Sequence, residues 1–313
     1  MISPVIGIVA GVLLLVFSSL ALTSSIEGIG SRLRFSETLT GALLSPFFTA
    51  LPELIIVAEA IVLVGKSPGS EIAAGTIIGE PFMVSSIGIP AAVITLSLSG
   101  RRKNVERIEN SIPKIIMLLG LVFPVMLIPH FFRGYFVRVA VSLFLVIVYG
   151  ISILLWRGKK EVEGNDMAMN KILILVIVGL SLLLFGSTLL VNSINEFADQ
   201  SGIGRELMGI LIIPVGTIVP ETMNSLVWAS RSKTNLSISA LLGEEMMFAT
   251  IFPAIGISVS DWVLTGYGIT AILLFSVFSI FIAVLIFLSR GRAYPLFGYF
   301  FSFVVFVILL IIW

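Results

Sequence analysis

The sequence predicts an all-α polytopic membrane protein, with ten transmembrane helices arranged as two inverted five-helix repeats and both termini outside. Three observations lead there. Of the 313 residues, 58% are hydrophobic and only 12% are charged, whereas soluble domains carry about 25% charged residues. The 19 Lys and Arg fall very unequally between the two ends of successive apolar segments. A short segment rich in Gly, Pro, Thr and Glu also occurs twice, 168 residues apart.

Crossing the hydrocarbon core takes about 20 apolar residues. Segments that qualify lie near 3–23, 38–64, 70–99, 112–130, 135–156, 172–193, 206–230, 235–258, 263–289 and 294–313. The first lacks a basic leader and is long enough to span, so it is read as a helix and not as a signal peptide. Alternating the connecting loops places 15 of the 19 basic residues on one side: Arg32, Arg34, four between Arg101 and Arg107, Lys114, four between Arg157 and Lys171, Arg231, Lys233, Arg290 and Arg292. The other four are Lys66, Arg133, Arg138 and Arg205. The basic-rich side is cytoplasmic by the positive-inside rule, which puts both termini outside.

The charged stretch 157–171 separates repeat one (1–156) from repeat two (172–313). Five helices per half, an odd number, make the second half enter the membrane from the opposite side. The two halves are expected to intertwine as a single membrane domain. The linker is too short for a regulatory domain.

The duplicated segment reads Gly41, Pro46, Thr49, Pro52, Glu53 in the first half and Gly209, Pro214, Thr217, Pro220, Glu221 in the second. A helix-breaking Pro beside a carboxylate is costly inside a bilayer. Paired interruptions in two halves mark a transporter's binding site. A second pair follows: Gly75 to Pro81, containing Gly79-Glu80, and Ser239 to Glu245, containing Gly243-Glu244-Glu245. The glycines allow close helix approach or local unwinding.

Glu53, Glu80, Glu221, Glu244 and Glu245 are therefore expected near the centre of four helices, with no Lys or Arg at that depth. A charge there costs at least about 3 kcal/mol on insertion scales, so the cluster must be partly protonated, metal-bound or both. All-oxygen ligands point to a hard cation, and flexible coordination by 6–8 oxygens favours Ca²⁺ over Mg²⁺. Thr49 and Thr217, one turn before their Glu, supply further oxygens.

No Cys is present, which excludes disulfides and thiolate sites. The net charge of +1 is carried in loops and gives no reason to expect nucleic acid. No H-E-x-x-H occurs and there is a single His, so no enzymatic site is expected.

These residues resemble the two α-repeats of the Ca²⁺:cation antiporter superfamily, which includes sodium/calcium exchangers. The family's G-T-S-x-P-E element matches Phe48 to Glu53 and Gly216 to Glu221, and its second Gly-rich element matches Gly75 to Pro81 and Ser239 to Glu245. The resemblance implies alternating access, with Glu53 and Glu221 as central Ca²⁺ ligands and Thr49 and Thr217 contributing oxygens. It also implies Ca²⁺ and a monovalent counter-ion as transported substrates, with no cofactor.

Ala50 and Ile218 stand where the family has Ser, Pro81 where it has Asn, and Glu80 and Glu244 where Ser is usual. Neutral oxygens that would hold Na⁺ are lost and carboxylates are gained. H⁺ is therefore the favoured counter-ion, with Na⁺ as the other choice. A passive divalent-cation channel and an exchanger for Mn²⁺ are the alternatives. The expected partners are the lipid bilayer and inorganic cations, for a monomer in the plasma membrane. Asn224, one turn beyond Glu221, either adds an oxygen to the cavity or makes a helix–helix hydrogen bond. Glu59 is expected near the outer interface beside Lys66.

Overall fold

A computed structural model describes residues 4–50, 68–99, 108–156, 158, 162, 167–200, 218–260, 262–264 and 266–312. Regular structure among them is helical. Helix α1 is Pro4–Arg32. Helix α2 runs as Glu37–Leu39, a π-turn at Thr40–Leu44, and Ser45–Thr49. Helix α3 has the same interrupted form, with Pro68–Met83, a π-turn at Val84–Gly88, and Ile89–Leu98. Helix α4 covers Ser111–Val122, a 3₁₀ turn at Phe123–Leu127, and Ile128–Phe131. Helix α5 is Tyr135–Leu155 and α6 is Met169–Gln200.

The second half continues with α7 at Val219–Ser230. Helix α8 is Thr234–Ala249 followed by Ile251–Val259, α9 is Gly266–Leu288, and α10 joins a 3₁₀ turn at Tyr294–Gly298 to Tyr299–Ile312.

Proline and capping chemistry explain the boundaries. Ser36 has extended backbone, and its Oγ accepts the Leu39 N–H at 3.1 Å, the usual N-cap arrangement. Thr250 leaves helical geometry (φ −133°, ψ −74°) because Pro253 has no N–H for the Ala249 carbonyl, and its ring crowds that carbonyl. Pro81 lies inside α3. The α-helix continues through it to Met83, and the π-turn at Val84–Gly88 comes just before Pro90, as the one at Thr40–Leu44 comes just before Pro46.

Seven helical stretches among the described residues are long and apolar enough to cross a membrane: Pro4–Arg32, Ile77–Leu98, Ser111–Phe131, Tyr135–Leu155, Met169–Leu190, Thr234–Val259 and Gly266–Leu288. The expected spans 38–64 and 206–230 run partly through residues outside the described set. Large side chains such as Phe17, Phe136, Ile147, Phe185 and Val277 point outward, each more than half exposed. Exposed apolar side chains in this number suit a lipid-facing surface. The protein is an integral, multi-pass membrane protein.

The two halves pack chiefly on each other. Helix α1 lies along α6, α4 along α9, and α5 along the second piece of α8. The α1–α6 seam is made by small residues: Gly7 and Gly11 on one helix, Gly179 and Gly186 on the other. A Cβ at Gly11 would sit 3.0 Å from the Leu190 backbone nitrogen and 3.1 Å from the Gly186 carbonyl oxygen. Ser18 Oγ bridges the seam to the Gly179 carbonyl at 2.8 Å. Close backbone approach of this kind is how helices associate where lipid removes the hydrophobic drive.

The π-turn of α2 rests on α8 in the same way. A Cβ at Gly41 would lie 2.7 Å from the Leu236 carbonyl oxygen, and one at Gly243 would overlap the Ala42 backbone. Gly243 thus serves close approach, and the helix runs through it without unwinding.

Candidate functional site

Three helices each bring one carboxylate to a common point. Glu80 precedes Pro81 in α3, Glu221 lies in the first turn of α7, and Glu244 follows Gly243 in α8. One oxygen of each lies within 4.8 Å of the others, and the residues are 1%, 2% and 1% exposed.

The sequence prepares each position. Pro81 leaves the Ile77 carbonyl, one turn before Glu80, without its α-helical donor. Glu221 stands at a helix N-terminus, where the macrodipole favours a negative group. Gly243 lets α8 press against α2 beside Glu244. The ion pairs of Glu27 with Lys233 at 2.7 Å and Arg231 at 3.7 Å lie instead at the far end of α7. Three carboxylates so close and so buried repel one another strongly unless a cation or protons offset their charge. An all-oxygen cage of this type suits a hard divalent ion.

The other expected residues fall differently. Glu245 is fully buried but is not part of the triad; it accepts a hydrogen bond from Ser85 Oγ in the π-turn of α3. One residue along a helix is a rotation of about 100°, which separates the neighbours Glu244 and Glu245. Next to Glu245's partner, Ser86 Oγ meets Ser302 Oγ at 3.0 Å, and Ser302 Oγ donates to the Tyr299 backbone carbonyl at 2.6 Å; separately, the Tyr299 phenol donates to Ser279 Oγ at 2.8 Å.

Thr49 is buried at the end of α2, and its hydroxyl donates to the Ser45 carbonyl at 3.0 Å, which leaves its oxygen lone pairs available. Glu53 and Thr217 lie outside the described residues, as do Glu59 and Lys66. Asn224 is wholly buried, and neither Oδ1 nor Nδ2 has a hydrogen-bonding partner among the described residues. The helix–helix hydrogen bond that was one of its two expected roles is absent there.

Glu27 was not anticipated. Its Oε1 accepts the Trp228 indole N–H at 2.8 Å while its Oε2 meets Lys233, tying the end of α1 to the α7–α8 turn. The sequence signal for it is an acid just beyond the expected first span, with Arg231 and Lys233 as basic residues on the same side of the membrane.

The family model described as "Sodium/calcium exchanger protein" matches residues 3–156 and 171–313. The chain belongs to the sodium/calcium exchanger family. An uncharacterized membrane protein of Methanocaldococcus jannaschii is 26% identical over 245 residues, 75% of each chain. Among solved structures, the sodium-calcium exchanger NCX_Mj soaked with 10 mM Na⁺ and 10 mM Sr²⁺ superposes with a TM-score of 0.75 at 19% identity, covering 98% of both chains. The same exchanger soaked with 2.5 mM Na⁺ and 0.1 mM Ca²⁺ gives 0.74, again at 19% identity and 98% coverage of both. The sodium/calcium exchanger fold therefore extends over essentially the whole chain.

Proposed function

We propose that this family member is a secondary active antiporter that exports Ca²⁺ by alternating access, in exchange for a monovalent cation. The observation that carries this reading is the buried triad Glu80, Glu221 and Glu244, contributed by three helices of an otherwise apolar bundle. Glu53 and Thr217 are proposed to complete the ligand set with Thr49, because they stand at the repeat-related positions of the duplicated segment. Glu245, bonded to Ser85, supports the site from outside it.

The wider arrangement belongs to the same reading: ten spans, repeats 1–156 and 172–313 of opposite orientation, both termini outside, and residence in the plasma membrane. The 15-to-4 distribution of basic residues supports the orientation. H⁺ is the favoured counter-ion, since Glu80 and Glu244 put exchangeable carboxylates where the family places Ser.

The test is a flux assay in liposomes, crossing Ca²⁺, Mn²⁺ and Mg²⁺ with imposed Na⁺ and pH gradients. Ca²⁺ is expected to move toward the acidic side. Dependence on Na⁺ with no dependence on pH overturns the proton reading. Flux that needs no ion on the opposite side, with single-channel currents, overturns antiport itself in favour of a passive channel.

A further inference from the structure

Helix α7 carries a polar stripe that continues beyond the triad. Glu221, Asn224 and Trp228 fall at i, i+3 and i+7, so they share one face of the helix. At the near end is the triad, and at the far end Trp228 Nε1 donates to Glu27, which holds Lys233. Between them sits Asn224, fully buried, with both its amide oxygen and its amide nitrogen lacking a hydrogen-bonding partner among the described residues.

An amide orphaned at both ends is among the costlier things to bury. The next residue marks the contrast. Ser225 bonds across to α8, to Ser237 Oγ at 2.8 Å and to its carbonyl at 3.1 Å. In the first half, the positions corresponding to Asn224 and Trp228 are Ile56 and Ala60, so the polar stripe belongs to the second repeat alone.

We propose that Asn224 is a further cation ligand, holding a partly hydrated cation one helical turn from the triad on its way to or from the α7–α8 end of the protein. With the ion in place its Oδ1 faces the ion and its Nδ2 donates to the ion's water, the Glu221 side chain lying one turn away, about 5–6 Å between Cβ atoms. A neutral ligand next to a charged cage gives the ion a weaker resting place, which a transported ion needs in order to leave. The one-sided stripe makes release toward the α7–α8 end different from release toward the other side. The inference rests on the triad being a cation site.

The experiment uses the purified full-length protein in detergent. The thermal midpoint is titrated with Ca²⁺ and, separately, with Na⁺ for wild type, Asn224→Leu, Asn224→Ala and Glu244→Gln. Leu has nearly the shape of Asn without its polar atoms. Ion-free Asn224→Leu should melt at or above the wild-type temperature, because an unpaired amide has been removed. The concentration of Ca²⁺, of Na⁺ or of both that gives half the stabilisation should rise by about tenfold, the share of one bond to a charged group.

Half-saturation within twofold of wild type for both ions overturns the proposal and leaves the amide holding water only. Asn224→Ala answers the same question if the Leu variant does not fold. A wild type with no cation-dependent shift sinks the antiporter reading and this inference with it. A normal wild type beside an unaltered Asn224→Leu sinks this inference alone.

Discussion

Replacing Glu244 with Gln should make the ion-free protein more stable while weakening its hold on cations. The triad oxygens lie within 4.8 Å of one another. At an effective dielectric of about 20, two unit charges at that separation repel by 332/(20 × 4.8), about 3.5 kcal/mol. Glu244→Gln removes two of the three pairs and keeps the side-chain shape, so up to about 7 kcal/mol of repulsion is relieved. Bound protons or residual cations reduce that figure. If about 2 kcal/mol survives, the melting temperature rises by several degrees.

The assay is thermal unfolding of detergent-purified protein in excess chelator and then in saturating Ca²⁺. Glu244→Gln should melt above wild type in chelator and gain less from Ca²⁺. A variant that melts at or below wild type in chelator, yet keeps the full Ca²⁺ increment, refutes the view of the triad as an anionic cage awaiting a cation.

Glu245→Gln, by contrast, should keep Ca²⁺ half-saturation within about threefold, while Ser85→Ala should cost about 1–3 kcal/mol by leaving a buried carboxyl oxygen without its donor. Equilibrium binding and thermal unfolding of the pair check this; a loss of Ca²⁺ binding in Glu245→Gln as deep as in Glu244→Gln goes against it. Glu27→Ala strips the Trp228 indole of its acceptor and Lys233 of its counter-charge, and should cost about 1–3 kcal/mol, read from the unfolding midpoint. Gly243→Ala forces a methyl into the Ala42 backbone and should destabilise by about 1–3 kcal/mol, whereas Gly75→Ala, with open space around it, should stay near wild type in the same measurement.

Most of the fold was legible because bilayer spans announce themselves by apolar length. The expected spans 112–130 and 135–156 differ from Ser111–Phe131 and Tyr135–Leu155 by a residue at any end. The first helix is longer than the expected span 3–23. Its apolar run ends near residue 23, yet α1 continues to Arg32 because Glu27 has partners waiting at the α7–α8 turn.

Glu80 and Glu244 could be found from the repeated Gly-Glu spacing, a pattern that survives without knowing which way either side chain points. Glu245 could not be told from Glu244. Thr234–Ala249 is buried on nearly every side, so there is no polar face from which to infer direction, and only packing against the π-turn of α3 separates the two acids. The break at Thr250 follows from Pro253, but an interior Pro can also be carried without a break, as Pro81 is within Pro68–Met83, and tertiary contacts choose between these outcomes.

The mutual packing of the two halves has a consequence for how the protein is made. The ribosome delivers α1 to α5 before the helices they rest against exist: α1 before α6, α4 before α9, α5 before the end of α8. Until then Gly7 and Gly11 present bare backbone to lipid, and Glu80 has neither Glu221 nor Glu244 beside it. The nascent first half is therefore an open clasp, held together more by insertion than by contacts of its own. Supplying residues 1–156 and 167–313 as separate chains should restore the protein only when both are synthesised into the same membrane.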